Sequence, residues 1–385
     1  MMLSIFWLCL GLICYVYIGY PILITALASV RQRRIDAAPI HPTVSLIVCA
    51  YNEEDIIGRK IENSLSLNYP AHLLEVIVVN DGSTDRTSSI ISKYTDKPDI
   101  TIVHSPVREG KAAAMNRAAA LAKGEILIFS DARAIYRADS LKLLVRNFND
   151  PEVGCVNGNR RLHKNRSPIF GSEKSYWGYE AYIKTKETQC GSTVSVSGAM
   201  LAIRASIFEP IPTNMILDDA CLAMQTLRKG FRVIYDPAAL CFQSSAMSTR
   251  DEVLRRQRIT AGRFQMLLDA RALWPWNDKL AIFELVSHKV MRLFLPFFSA
   301  GVFLSSAGLM FLPDTPEIVI ALFWAQIAFG FLAVIGWISE KFGWKVGLLG
   351  IWYYIASGNF ASFRGLVRYS KGRQTVLWDK ARRTE

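Results

Sequence analysis

The chain has 385 residues, a formal net charge of +12 at neutral pH and a hydrophobic share of 51%. That share is too apolar for an ordinary soluble domain. The basic runs flank apolar segments: Arg31, Arg33 and Arg34 at one end, and Arg368, Lys371, Arg373, Lys380, Arg382 and Arg383 at the other. The charge is therefore read as facing an anionic membrane leaflet and a diphosphate, not nucleic acid.

Residues 3–30 form an uncharged apolar run long enough to span a bilayer. The run lacks a basic start, is too long for a signal peptide and ends in Arg-Gln-Arg-Arg. Positive residues stay inside, so the next domain is expected in the cytosol. Residues 44–49, 76–80, 100–104 and 126–130 read as short strands rich in β-branched residues. Helical patterns at 55–67, 85–93 and 111–123 separate them. This alternation predicts an α/β fold with a mainly parallel sheet covered on both faces, which takes its ligands at the carboxyl ends of the strands.

Residues 250–273 form a basic amphipathic stretch, suited to a helix lying on the membrane surface. Packing of that helix on its own domain is the alternative. Apolar runs follow at 292–312, 318–338 and 346–367. The first two read as a spanning hairpin. The third holds Gly358, Asn359, Ser362 and Arg364, and reads as re-entrant or interfacial. The seven cysteines share no metal spacing and read as reduced, buried thiols. The five histidines form no zinc pattern. No Gly-x-Gly-x-x-Gly follows the first strand and no phosphate-loop motif occurs, which argues against a redox enzyme and a phosphate-loop NTPase.

The polar signatures fall at the strand ends. Ala50, Tyr51 and Glu53 follow the first strand, and Asp81 and Gly82 end the second. An acid beside a glycine turn can accept hydrogen bonds from a base or a ribose; it can also start a turn and a helix cap. Lys111 opens a helix after Gly110, a setting for phosphate. Asp131 ends the fourth strand, where a carboxylate can hold Mg²⁺ or Mn²⁺ through oxygen ligands. Asp218 and Asp219 precede a helix. One of them can act as a base on a hydroxyl and one is expected to cap the helix; spacing does not say which. Arg255 and Arg258 can bind a pyrophosphate or lipid headgroups.

Together these stretches resemble the family 2 inverting glycosyltransferases, in the membrane-integrated branch of hyaluronan, cellulose and poly-N-acetylglucosamine synthases. The resemblance covers roughly residues 44–268. It implies a Rossmann-like GT-A nucleotide-sugar domain with an N-terminal transmembrane helix and a C-terminal membrane helical module. Ala50, Tyr51, Glu53 and Asp81 match the base and ribose pocket, and Lys111 matches the lysine of the Gly-Lys stretch. Asp131 matches the first aspartate of Asp-x-Asp, which meets the metal and the diphosphate. Ser197, Gly198 and Ala199 match the small-residue turn beside the acceptor. Asp219 matches the general base, with Asp218 in the adjoining glutamate position.

Two departures stand out. Arg133 replaces the second aspartate of Asp-x-Asp, and Ile259 replaces the tryptophan of Gln-x-x-Arg-Trp. An isoleucine offers no aromatic face to a sugar. The expectation is a multi-pass protein of the inner or plasma membrane. It has an anchor at 1–34, a transferase domain at 40–245, interfacial helices at 246–290 and a membrane module at 291–385. Its partners are a nucleotide-sugar donor, most simply a UDP-sugar, a lipid-linked saccharide or glycolipid acceptor, and membrane lipids. A processive exopolysaccharide synthase and a catalytically weak membrane subunit are the rivals.

Overall fold

The computed structural model describes residues 1–162, 170–244, 249–342 and 349–377. The basic residues Lys380, Arg382 and Arg383, and the start of the third apolar run, lie outside them. The chain opens with a long helix, α1 (Met2–Arg31). Four strands follow with helices between them: β1 (Val44–Ala50), α2 (Ile57–Leu65), β2 (Leu74–Asp81), β3 (Ile100–Ser105), α3 (Lys111–Leu121) and β4 (Ile126–Asp131). β5 (Ile135–Tyr136), β6 (Val153–Leu162), α4 (Phe170–Cys190), β7 (Leu201–Arg204), α5 (Asp218–Arg228) and β8 (Arg232–Gln243) complete the domain.

The eight strands form one sheet in the order β3-β2-β1-β4-β7-β6-β8-β5. The first four run parallel, and β7 reverses direction between β4 and β6. The expected strands are present within two residues at each end. Alternate side chains serve opposite cores. Ile47, Ile77 and Phe129 pack toward α3, while Leu46 and Ile128 face the other layer. Burial of each such side chain contributes roughly 1.5–3 kcal/mol. α3 meets the sheet through Ala112, Ala114, Met115 and Ala118, so its first residue, Lys111, sits close over the strand ends.

After the sheet come α6 (Thr249–Leu268), α7 (Lys279–Leu293), α8 (Leu295–Leu309), α9 (Glu317–Lys341) and α10 (Leu349–Ser370). Among the described residues, two helices are long and apolar enough to cross a membrane: Met2–Arg31 and Glu317–Ser339. α7 and α8 qualify together as a third, bent by 57° at the break before Pro296. α10 is not among them.

α6 departs from the surface-lying expectation. Glu252, Gln257 and Thr260 are buried, and Gly365 of α10 comes so close that a Cβ there would meet Thr260 Cβ at 2.6 Å. Its arginines are turned into the molecule because Glu252 holds Arg255 and Arg256 at 2.7 and 2.8 Å. All seven cysteines are free, and Cys14 is exposed on α1, not buried.

Candidate active site

The carboxyl ends of the parallel strands open into one cavity of about 630 Å³. At the β2 end, Asp81 accepts the N–H of Glu109 at 2.9 Å and of Gly110 at 2.8 Å. Burial pushes its pKa above the usual aspartate range. Asp81 therefore shapes the turn that delivers Lys111. Gly82 has φ +67°, and a Cβ there would meet Arg108 N at 2.5 Å, so the turn requires glycine. Asn52 joins the β1 and β2 loops by accepting the N–H of Thr84 at 2.8 Å. Arg108 stacks over the Tyr51 ring at 3.8 Å, giving the cavity a flat, cationic wall.

Lys111 lies at the centre. Its Nζ is 2.8 Å from Asp131 Oδ1 and 3.0 Å from Asp218 Oδ2. Burial alone would push the ammonium down, but Asp131 and Asp218 hold it well above the usual lysine range. Asp131 Oδ2 also accepts Gln243 Nε2 at 3.2 Å, from the far end of β8. Arg133 does not join them: its Nε points to Glu53 Oε2 at 2.8 Å.

Asp219 accepts the Gly198 N–H at 2.9 Å and the Ala220 N–H at 2.8 Å. Burial, and then Asp218, push its pKa above the usual aspartate range. A raised pKa makes the carboxylate a better proton acceptor. Neither acid caps α5, contrary to expectation. No side chain accepts at its N-cap, Leu217, because Asp218 is held by Lys111 and Asp219 by Gly198. Gly198 is close-packed: a Cβ there would stand 2.8 Å from Lys111 Nζ. Cys49 lines the cavity as well, and burial pushes its thiol up to about 12, which keeps it inert as a nucleophile.

Ala50, Tyr51, Glu53, Asp81, Lys111, Asp131, Ser197, Gly198, Asp218, Asp219, Arg255 and Arg258 all line this cavity. Ala199 is the exception. It is 1% exposed and its carbonyl accepts the Tyr136 hydroxyl at 3.2 Å, so it belongs to the core and does not reach an acceptor.

The sequence reading missed several lining residues. Arg108 was visible only as a neighbour of the Gly-Lys stretch. Gln243 carries no local signal. Neither does Trp177 of α4, which faces the cavity with Arg160 3.7 Å over its ring.

The cavity continues past Asp219 to the apolar helices. Tyr17 of α1, Tyr176 and Glu180 of α4, Arg256 and Arg263 of α6, Lys289 and Arg292 of α7, and Tyr354 of α10 line this end. A buried network fixes it. Glu187 accepts the Tyr20 hydroxyl at 2.6 Å and that of Thr193 at 2.5 Å, and pairs with His288 Nδ1 at 2.6 Å. Glu180 binds Lys289 at 3.0 Å and also contacts Arg292. Burial opposes ionisation of Glu180, yet Arg292, Lys289 and His288 hold it well below the usual range. After α10 the chain returns to the strand-end side of the cavity, where Val376 lines it and Leu377 packs against Gly110.

Residues 45–211 match the model of glycosyl transferase family 2. Residues 45–211 thus form a domain of the family 2 type, on a GT-A fold. It is 29% identical over 231 residues to a poly-beta-1,6-N-acetyl-D-glucosamine synthase of Staphylococcus aureus, covering 58% of this chain and 55% of that one. Against the synthase of that name from Staphylococcus epidermidis it is 27% identical over 297 residues, 75% of this chain and 69% of the relative. The chain spans about half the length of the S. aureus relatives it matches. A mannosyltransferase from Pyrobaculum calidifontis, solved with GDP-Man and Mn²⁺, shares the fold over 97% of this chain and all of its own, with a TM-score of 0.73 at 23% identity.

Proposed function

We propose that the protein transfers a sugar with inversion from a nucleotide-diphosphate donor, most simply a UDP-sugar, to a hydroxyl delivered from the membrane side. Tyr51, Glu53 and Asp81 bound the place for the nucleotide, with Arg108 as a stacking wall. Lys111 and Arg258 face the leaving diphosphate. Asp219 removes the acceptor proton as the hydroxyl attacks the anomeric carbon, and a β-linkage results. The observation that carries this reading is the continuity of the cavity: donor end, Asp219 and the apolar helices share one space.

Among the described residues no three His, Cys, Asp or Glu side chains gather into a metal site, so a divalent cation would rest on one carboxylate and the diphosphate. Asp131 is the carboxylate that would hold Mg²⁺ or Mn²⁺ together with the diphosphate, since such ions are often bound by one or two carboxylates plus phosphates. The ion would neutralise charge on the leaving group. Arg133 is turned away to Glu53 and adds no ligand.

The acceptor is read as a lipid-linked saccharide or glycolipid, because the cavity opens toward Tyr17, Arg292 and Tyr354 on apolar helices. The placement follows: a multi-pass protein with its transferase domain on the cytosolic side. The relatives favour a second reading, repeated addition to a polysaccharide, since both carry a polymer synthase's name. Trp177 supplies an aromatic face on that path despite Ile259. Purified protein in native lipids, given UDP-, GDP- and dTDP-sugars, tests both by product mass and anomeric configuration. A lipid product larger by one β-linked sugar supports single transfer. High-mass polymer made without added lipid establishes the synthase, and an α-linkage contradicts both.

A further inference from the structure

The cavity holds two separate groups of cations. Lys111 and Arg258 face the carboxylates Asp131, Asp218 and Asp219. Arg263, Lys289 and Arg292 line the other end around Glu180, beside Arg256, which Glu252 holds. Arg292 gives one N–H to Glu180, is one-tenth exposed, and keeps Nε and Nη2 buried with no partner among the described residues. Arg263 is half-buried and has neither a hydrogen bond nor an ion pair among the described residues.

Glu187 does not neutralise this group, since it is shared by His288, Tyr20 and Thr193. Arg263 and Arg292 against one carboxylate leave at least one positive charge, before Lys289 is counted, in a recess walled by Tyr17, Tyr179 and Leu295. Unpaired guanidinium N–H groups buried this way are costly unless an anion reaches them. A phosphate offers the matching charge and several acceptor oxygens, and guanidinium groups bind it in pairs of parallel hydrogen bonds.

We infer that Arg263, Lys289 and Arg292 form a phosphate subsite that grips the phosphate of a membrane-borne acceptor while its hydroxyl lies at Asp219. The inference rests on the acceptor reading above and narrows it to phosphate-bearing lipids. The phosphate is an anchor here and takes no part in bond making.

The test measures binding, not turnover, so an inactive preparation does not obscure it. The full chain and its Arg263→Ala and Arg292→Gln variants are placed in phosphatidylcholine nanodiscs. Undecaprenyl phosphate, undecaprenol and phosphatidic acid serve as probes, and UDP binding is read on the same samples. Wild type is expected to bind undecaprenyl phosphate at least about tenfold tighter than undecaprenol, and Arg263→Ala to lose about tenfold, with UDP affinity unchanged. Arg263 holds no partner, so that variant keeps the fold even if Arg292→Gln does not.

Equal binding of phosphate and alcohol would overturn the inference, as would an indifferent Arg263→Ala. Displacement of undecaprenyl phosphate by pyrophosphate, with UDP affinity falling in Arg263→Ala, would assign these cations to the donor. Phosphatidic acid binding as tightly as undecaprenyl phosphate would assign the subsite to a bilayer headgroup and overturn the acceptor role.

Discussion

The donor end and the membrane end of the cavity are built by different means. The donor end comes from short contiguous stretches at strand ends; backbone N–H groups fix Asp81 and Asp219, while the one side chain of Lys111 joins Asp131 and Asp218. The membrane end takes a few residues from each of several distant helices and is fixed by side chains, as in the Glu187, Tyr20 and His288 set. A site locked by backbone keeps its shape when one side chain changes. A site locked by side chains depends on how its helices pack, so lipid surroundings should act on acceptor binding far more than on donor binding.

The sharpest break is expected at Lys111. Lys111→Met leaves Asp131 and Asp218 without their shared cation, and donor binding and turnover should fall by about 100-fold or more, with partial recovery in Lys111→Arg. Nucleotide titration and initial rates check this. Next is Arg133→Met, which removes the ion pair to Glu53, whose side chain is 14% exposed. A loss of roughly 1–3 kcal/mol should appear as a lower Tm, together with weaker donor binding. Trp177→Leu sharpens the contrast between the ends: acceptor KM should rise about tenfold while donor KM stays put. The smallest effect belongs to Gln243→Ala, which removes a 3.2 Å bond to Asp131 and a 3.0 Å bond from Arg160 and should slow turnover by about threefold in the same rate assay.

The donor end was legible because its chemistry sits where a strand pattern stops. β-branched runs located β1 to β4, and residues at the ends of β1, β2 and β4 line the cavity, as Tyr51, Asp81 and Asp131 do. Ala199 failed because proximity in sequence to Gly198 says nothing about which way the chain turns next. The expectation that Asp218 or Asp219 caps α5 failed because Asp218 pairs with a residue over a hundred positions away and Asp219 takes the N–H of Gly198.

The membrane end was not legible. Glu187 meets Tyr20 across 167 positions and His288 across 101, and no period in α4 marks such partners. Gln243 reaches Asp131 only because β8 pairs with β6 through a register shift at Gly158 and Asn159, which composition does not reveal. Arg255 and Arg256 of α6 read as a surface face because their partner, Glu252, lies on the same helix and turns them inward.

The central claim is that Asp219 is the base serving a donor site already formed without it. The most direct measurement compares wild type with Asp219→Asn in native lipids, reading nucleotide affinity and nucleoside-diphosphate release on the same samples across pH. The account predicts unchanged nucleotide affinity, release reduced about 1,000-fold in the variant, and a wild-type rate that falls on acidification above the usual aspartate range, because burial and Asp218 raise Asp219. Release that persists in Asp219→Asn, or nucleotide affinity lost along with it, would contradict the assignment.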